Sequence, residues 1–180
     1  MFIEGESNSP NGDLRQGFSK LLSKALNNNL PRIILGDGKW LTIDKFLHKN
    51  IPGDLFLLLV DLDGKEDSRE RDIRENNLTD VRDNVFYMIQ EMESWFLSQP
   101  TILDKFYGVD HNGKKVSDKM TIKKPIDFEY PDKELKKITK TSRKGEYHKI
   151  KHAVELLKLL DSNLLEVEFA DYKRLVKKLR

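Results

Sequence analysis

Leu55-Phe56-Leu57-Leu58-Leu59-Val60-Asp61-Leu62-Asp63-Gly64 is the stretch around which the rest of the chain is read. Six consecutive apolar residues suit a strand covered on both faces, as in a parallel sheet. The Asp-Leu-Asp-Gly that follows turns the chain and leaves two carboxylates at the carboxyl end of that strand. In an open parallel α/β sheet this is the rim where ligands bind.

On the amino-terminal side, residues 1–3 read as a short first strand, and the turn formers at 5–12 read as a loop. Apolar positions Leu14, Phe18, Leu21, Leu22, Ala25 and Leu26 then predict a helix over 13–27, with Asp13 as its N-cap and the three asparagines at 27–29 as its end. Residues 31–35 predict a second strand closed by Gly36-Asp37-Gly38, and a helix over 41–48 ends before Pro52. On the carboxyl side, 65–83 is densely charged and mixes helix with loop, and 85–89 reads as a fourth strand. Helices follow at 91–97 and 101–107, the second between Pro100 and Gly108. The pattern weakens over 110–145 into a basic, loop-rich stretch, and helices at 147–160 and 169–179 close the sequence.

The expected fold class is α/β, a four-stranded parallel sheet with helices on both faces and a C-terminal helical extension. The expected division is a core over 1–109, a basic loop-rich insert over 110–146, and C-terminal helices over 147–180 packing on the core. The chain of 180 residues is 38% hydrophobic and 34% charged, and it has no cysteine. Disulfides, thiolate zinc sites and cysteine nucleophiles are therefore excluded. No apolar run approaches the roughly 18 residues of a membrane span, and the N-terminus lacks the pattern of a secretory signal. The expected location is cytoplasmic. Net charge is only +2, but residues 112–151 carry 13 Lys/Arg against 6 Asp/Glu. Such a distribution suits a protein holding metal in one place and polyanion in another; an ordinary solvated lysine-rich surface has the same composition.

Acids recur at the expected strand ends: Glu4 and Glu6 after the first, Asp37 after the second, Asp61 and Asp63 after the third, Glu91 and Glu93 after the fourth. Carboxylates brought close together repel unless some are protonated or a cation sits among them. Hard oxygen ligands select Mg²⁺, Mn²⁺ or Ca²⁺.

Ile3-Glu4-Gly5 after one strand and Asp61-Leu62-Asp63-Gly64 after a later one resemble the Toprim domain of topoisomerases, primases and certain nucleases. The block Gln90-Glu91-Met92-Glu93-Ser94-Trp95-Phe96-Leu97-Ser98-Gln99-Pro100 resembles the stand-alone bacterial Toprim-like proteins grouped as domain of unknown function 4276. Gly145-Glu146-Tyr147-His148-Lys149 and Phe169 carry the same likeness. The resemblance implies that Glu4 is a general acid/base or metal-adjacent carboxylate and that Asp61 and Asp63 are metal ligands. Glu93, the recurring acid of the Glu-x-Trp-Phe block, is inferred to be a further ligand. It also implies Mg²⁺ or Mn²⁺ as cofactor and a nuclease or related phosphoryl-transfer activity on DNA or RNA, in defence against mobile DNA. A partner ATPase or other defence-operon protein and a homodimer are among the implied associations.

Arg143, Lys149 and Lys151 are the candidate phosphate contacts. Tyr107 and Tyr147 suit either base stacking or packing, and Trp95, Phe96 and Phe106 suit core. An Asp-Leu-Asp-Gly nucleophile motif of haloacid-dehalogenase type would sit on the first strand with a later Gly-Asp-x-x-x-Asp, which this sequence lacks. A calcium loop fails at Glu66 and Asp72, and Gly36-Asp37-Gly38-Lys39 is too short for a P-loop. His148 and His152 lack the third ligand of a zinc site. The reading from a different class is a non-catalytic module that keeps the fold and binds nucleic acid, nucleotide or a partner.

Overall fold

The structure is a computed structural model that describes residues 1–6, 13–27, 29–49 and 53–180. The turn-rich stretch 7–12 and positions Asn28 and Pro52 of the sequence reading lie outside them. Four strands, β1 (Phe2–Ile3), β2 (Ile34–Leu35), β3 (Leu58–Asp61) and β4 (Val85–Met88), pair in parallel in the order β2-β1-β3-β4. The strand expected over 55–60 is shifted, so that Asp61 is its last residue rather than the first beyond it.

The apolar strand residues alternate between two cores, as a period of two requires. Ile3, Leu35, Leu57, Leu59, Phe86 and Met88 face one core; Phe2, Leu58, Val60, Val85 and Tyr87 face the other. That is why the run around β3 contains no polar position until Asp61. The first core receives α1 (Leu14–Ala25), the second α2 (Lys39–Leu47) and α3 (Arg69–Glu75). Asp13 caps α1, accepting the Arg15 N–H at 2.8 Å. The chain runs outward from β1 through α1 to β2, then back across β1 through α2 to β3. The connection changes direction there, so helices on opposite faces follow from the constant hand of parallel crossovers. The crevice between β1 and β3 is the topological switch point, the expected ligand position in such sheets.

The C-terminal half thickens the first core. Short α4 (Glu93–Leu97) and α5 (Pro100–Tyr107) lead to α6 (Pro131–Thr139), α7 (Lys149–Leu159), α8 (Ser162–Glu168) and α9 (Ala170–Leu179). Trp95 stands at its centre, edge-on to Phe18 and Tyr172 and tilted against Phe169. Helix α1 crosses α7 at Gly17, where a Cβ would lie 2.9 Å from Leu157. Along β4, the buried carboxylate of Asp171 on α9 accepts the Tyr87 N–H at 2.8 Å and pairs with Arg69 and Arg174. This gives a strand-edge donor its acceptor.

Two helices depart from the sequence reading. Helix α6 lies inside the stretch expected to be loop, and α8 lies between the last two expected helices. The lysines around α6 obscure an apolar spacing of Pro131, Leu135 and Ile138, all buried. Asp161 caps α8 through the Asn163 N–H at 2.8 Å. Among the described residues, no helix is long and apolar enough to cross a membrane.

Candidate functional site

Glu4 follows β1, Asp61 ends β3 and Glu93 opens α4 just after β4, so parallel strands deliver three acids to one rim. Glu4 contacts the backbone of Asp61, and Asp61 and Glu93 share the Lys149 ammonium. A carboxylate oxygen of Glu4 accepts the Asp61 backbone N–H at 3.0 Å, bridging the switch point between β1 and β3. Asp61 Oδ1 accepts the Met92 N–H at 2.8 Å, which fixes it against the loop leading into α4. Glu93 Oε1 accepts the Tyr147 hydroxyl at 2.7 Å. The Lys149 ammonium lies 3.5 Å from Asp61 Oδ2 and 3.7 Å from Glu93 Oε1.

Burial sets the electrostatics. Asp61 and Glu93 are buried, and Glu93 Oε2 has no hydrogen-bond partner. Burial pushes the Asp61 carboxyl well above its ordinary value; Lys149 opposes this and the charges of Glu4 and Glu93 reinforce it. Glu4 is raised by burial too, only partly offset by the Asp61 N–H. Glu91, next to Glu93, is raised for the same first reason. Burial works against the charged form of Lys149, but Asp61, Glu93 and Glu4 outweigh it, so its pKa is raised. Burial and the neighbouring Glu93 carboxylate keep the Tyr147 phenol protonated.

The three acids open onto a cavity of about 670 Å³. Its lining also contains Glu6, Asp37, Glu91, Asp132 and Glu146, with Lys136 and Lys149 as its lysines. Asp132 and Lys136 belong to α6, so the helix hidden from the sequence reading forms one wall. Tyr147 is packed rather than free to stack a base: it is buried, anchored by its N–H to the Thr139 hydroxyl at 2.7 Å and by its own hydroxyl to Glu93. Its signal in the sequence is the Gly145-Glu146-Tyr147-His148-Lys149 block.

The other sequence candidates lie elsewhere. Asp63 takes a left-handed backbone, φ 56°, and its carboxylate pairs with Lys39 at 3.1 Å, away from the cavity lining. Lys39 also holds Asp72 at 2.9 Å and donates to the Leu62 carbonyl at 3.3 Å, fastening the Asp-Leu-Asp-Gly turn to α2 and α3. Arg143 and Lys151 are exposed and do not line the cavity, whereas Lys149 does.

Glu4, Asp61 and Glu93 suit Mg²⁺ or Mn²⁺ in donor chemistry: all are hard oxygens, and one buried oxygen lacks a partner. Asp63, paired with Lys39, does not line their cavity, although its charge reaches Glu4. Among the described residues, no three His, Asp or Glu side chains are grouped closely enough to hold one ion.

The architecture defines a parallel α/β domain with a buried acid cluster at its switch point. A family model, Domain of unknown function (DUF4276), matches residues 12–180, and the chain belongs to that family. Asp61, Glu93, Tyr147 and Lys149 fall within the match; Glu4 precedes it. No curated protein and no solved structure matches the chain.

Proposed function

We propose that the chain is a Toprim-like, Mg²⁺- or Mn²⁺-dependent phosphoryl-transfer enzyme of the cytoplasm that hydrolyses phosphodiester bonds of DNA or RNA. One observation carries this reading: Glu4, Asp61 and Glu93, each placed after a different strand, line one cavity of about 670 Å³, with the buried Asp61 and Glu93 sharing the Lys149 ammonium. Buried like charges in such number destabilise a fold and are retained where chemistry needs them.

A bound Mg²⁺ or Mn²⁺ would activate water and offset the charge that develops on a transferring phosphoryl group. Asp61 and Glu93 would hold it, with Asp61 oriented by the Met92 N–H and Glu93 by Tyr147. Glu4 sits one hydrogen bond from β3 with its pKa raised by burial, a direction that suits a carboxyl exchanging a proton. Lys149 would meet the phosphate. The lysine-rich surface of 112–151 would neutralise backbone phosphates further out and make binding strongly salt-dependent.

The test incubates purified protein with labelled single- and double-stranded DNA and RNA in Mn²⁺, Mg²⁺ or EDTA. Cutting should require the metal, and Asp61→Asn and Glu93→Gln should each slow it by roughly 100-fold or more. The engagement of Asp63 by Lys39 favours a second reading, a binding module without chemistry. Binding without cutting, unchanged in Asp61→Asn, would establish that reading instead.

A further inference from the structure

Lys149 is the first residue of α7, where the positive end of the helix dipole disfavours an ammonium. It nevertheless projects into the acid cluster, 3.5 Å from Asp61 Oδ2 and 3.7 Å from Glu93 Oε1. Its side chain keeps 52% exposure, so it reaches the cluster from the open side of the cavity and has a path back to solvent. At those distances the contacts are ionic rather than tight hydrogen bonds. The second carboxylate oxygen of Glu93, fully buried, has no donor at all. The ammonium therefore balances charge without filling the coordination that the carboxylates offer.

From this geometry we infer that Lys149 is a resident counter-cation: it occupies the acid cluster while no divalent ion is bound, and a divalent ion displaces it. The inference rests on the metal-dependent reading of the site and adds what the metal competes with. A compact dication with several coordination positions would be held by Asp61 and Glu93 and would balance their charge more fully than one ammonium does. The released ammonium stays tethered at the head of α7, on the wall of the same cavity, where it can meet an anionic phosphate. The occupant of the cluster would then decide whether the cavity presents a neutralised surface or a phosphate site.

The competition sets the sign of the test. Titration calorimetry with Mn²⁺ alone, no nucleic acid present, measures affinity on the full chain. Lys149→Met should bind Mn²⁺ at least about tenfold more tightly than wild type, since it removes the competing charge. Lys149→Arg keeps the charge and should stay within about threefold. Lys136→Met removes the other lining lysine, which pairs with Asp132 at 3.1 Å instead of the cluster, and should also stay within about threefold. Thermal unfolding gives a second reading: Mn²⁺ should raise the unfolding temperature of Lys149→Met more than that of wild type. If wild type binds Mn²⁺ and Lys149→Met binds it no better, displacement is wrong while the metal-dependent reading stands. If neither protein binds Mn²⁺, both fall.

Discussion

Glu93 is satisfied on one side only, and its single hydrogen bond comes from Tyr147. Tyr147→Phe should therefore leave a buried carboxylate with only the ammonium of Lys149 nearby. The expected cost is about 1–3 kcal/mol, read as a lower midpoint of urea unfolding with an unchanged m-value. A similar logic separates the two acids of the Asp-Leu-Asp-Gly turn. Asp61 is the last strand residue and its carboxylate meets the Met92 N–H and Lys149, while Asp63 turns back to Lys39. The motif in the sequence does not distinguish them. Two residues apart on a continuing strand they would share a face, but the left-handed backbone at Asp63 breaks that alternation.

Among the elements, α1 and α7 approach most closely at Gly17. Alanine ordinarily favours a helix by about 1 kcal/mol over glycine. Here the added Cβ would meet the Leu157 Cβ at 2.9 Å and the Val154 carbonyl at 3.1 Å, neither of which can swing aside. Gly17→Ala should thus destabilise by about 1–3 kcal/mol despite the propensity gain, measured by thermal unfolding. Because α7 carries Lys149, the same substitution should also disturb the cavity wall. Strands and long apolar helices were legible from period and turn chemistry. Helix α6 was not, because it buries only a narrow stripe and its lysines read as insert; Pro131 at its first turn, Asp132 and Glu134 near its start and Lys136 and Lys137 near its end were the available signal.

Across the whole molecule the raised carboxyls of Asp61, Glu4 and Glu91 make stability depend on pH. A carboxyl whose folded pKa lies above its unfolded value binds its proton more tightly in the fold. Its stabilising contribution is complete below the ordinary values of 3.8 for Asp and 4.5 for Glu, and it is lost as pH rises through the folded pKa. Asp110 acts oppositely: Lys119 and backbone N–H groups hold it below its ordinary 3.8, so its contribution is lost only at lower pH. The contribution of Asp61 should therefore be lost as pH rises above about 4, so unfolding free energy should fall less, or rise more, with pH in Asp61→Asn than in wild type. Urea titrations of the two proteins across that rise in pH measure the difference.

By itself the sequence determined the parallel α/β class, the order of the strands along the chain and the placing of acids after them. Those properties follow from local periodicity and turn formation, which neighbouring residues control. Tertiary structure alone decided that Glu4, Asp61 and Glu93 line one cavity, that the Asp63 carboxylate pairs with Lys39 outside that lining, and that Tyr147, in the loop before α7, and Lys149, on α7, complete the wall. Side-chain direction at a strand end depends on backbone twist, on the partner across the sheet and on whichever helix covers the rim, and none of these is encoded within a few residues of the motif.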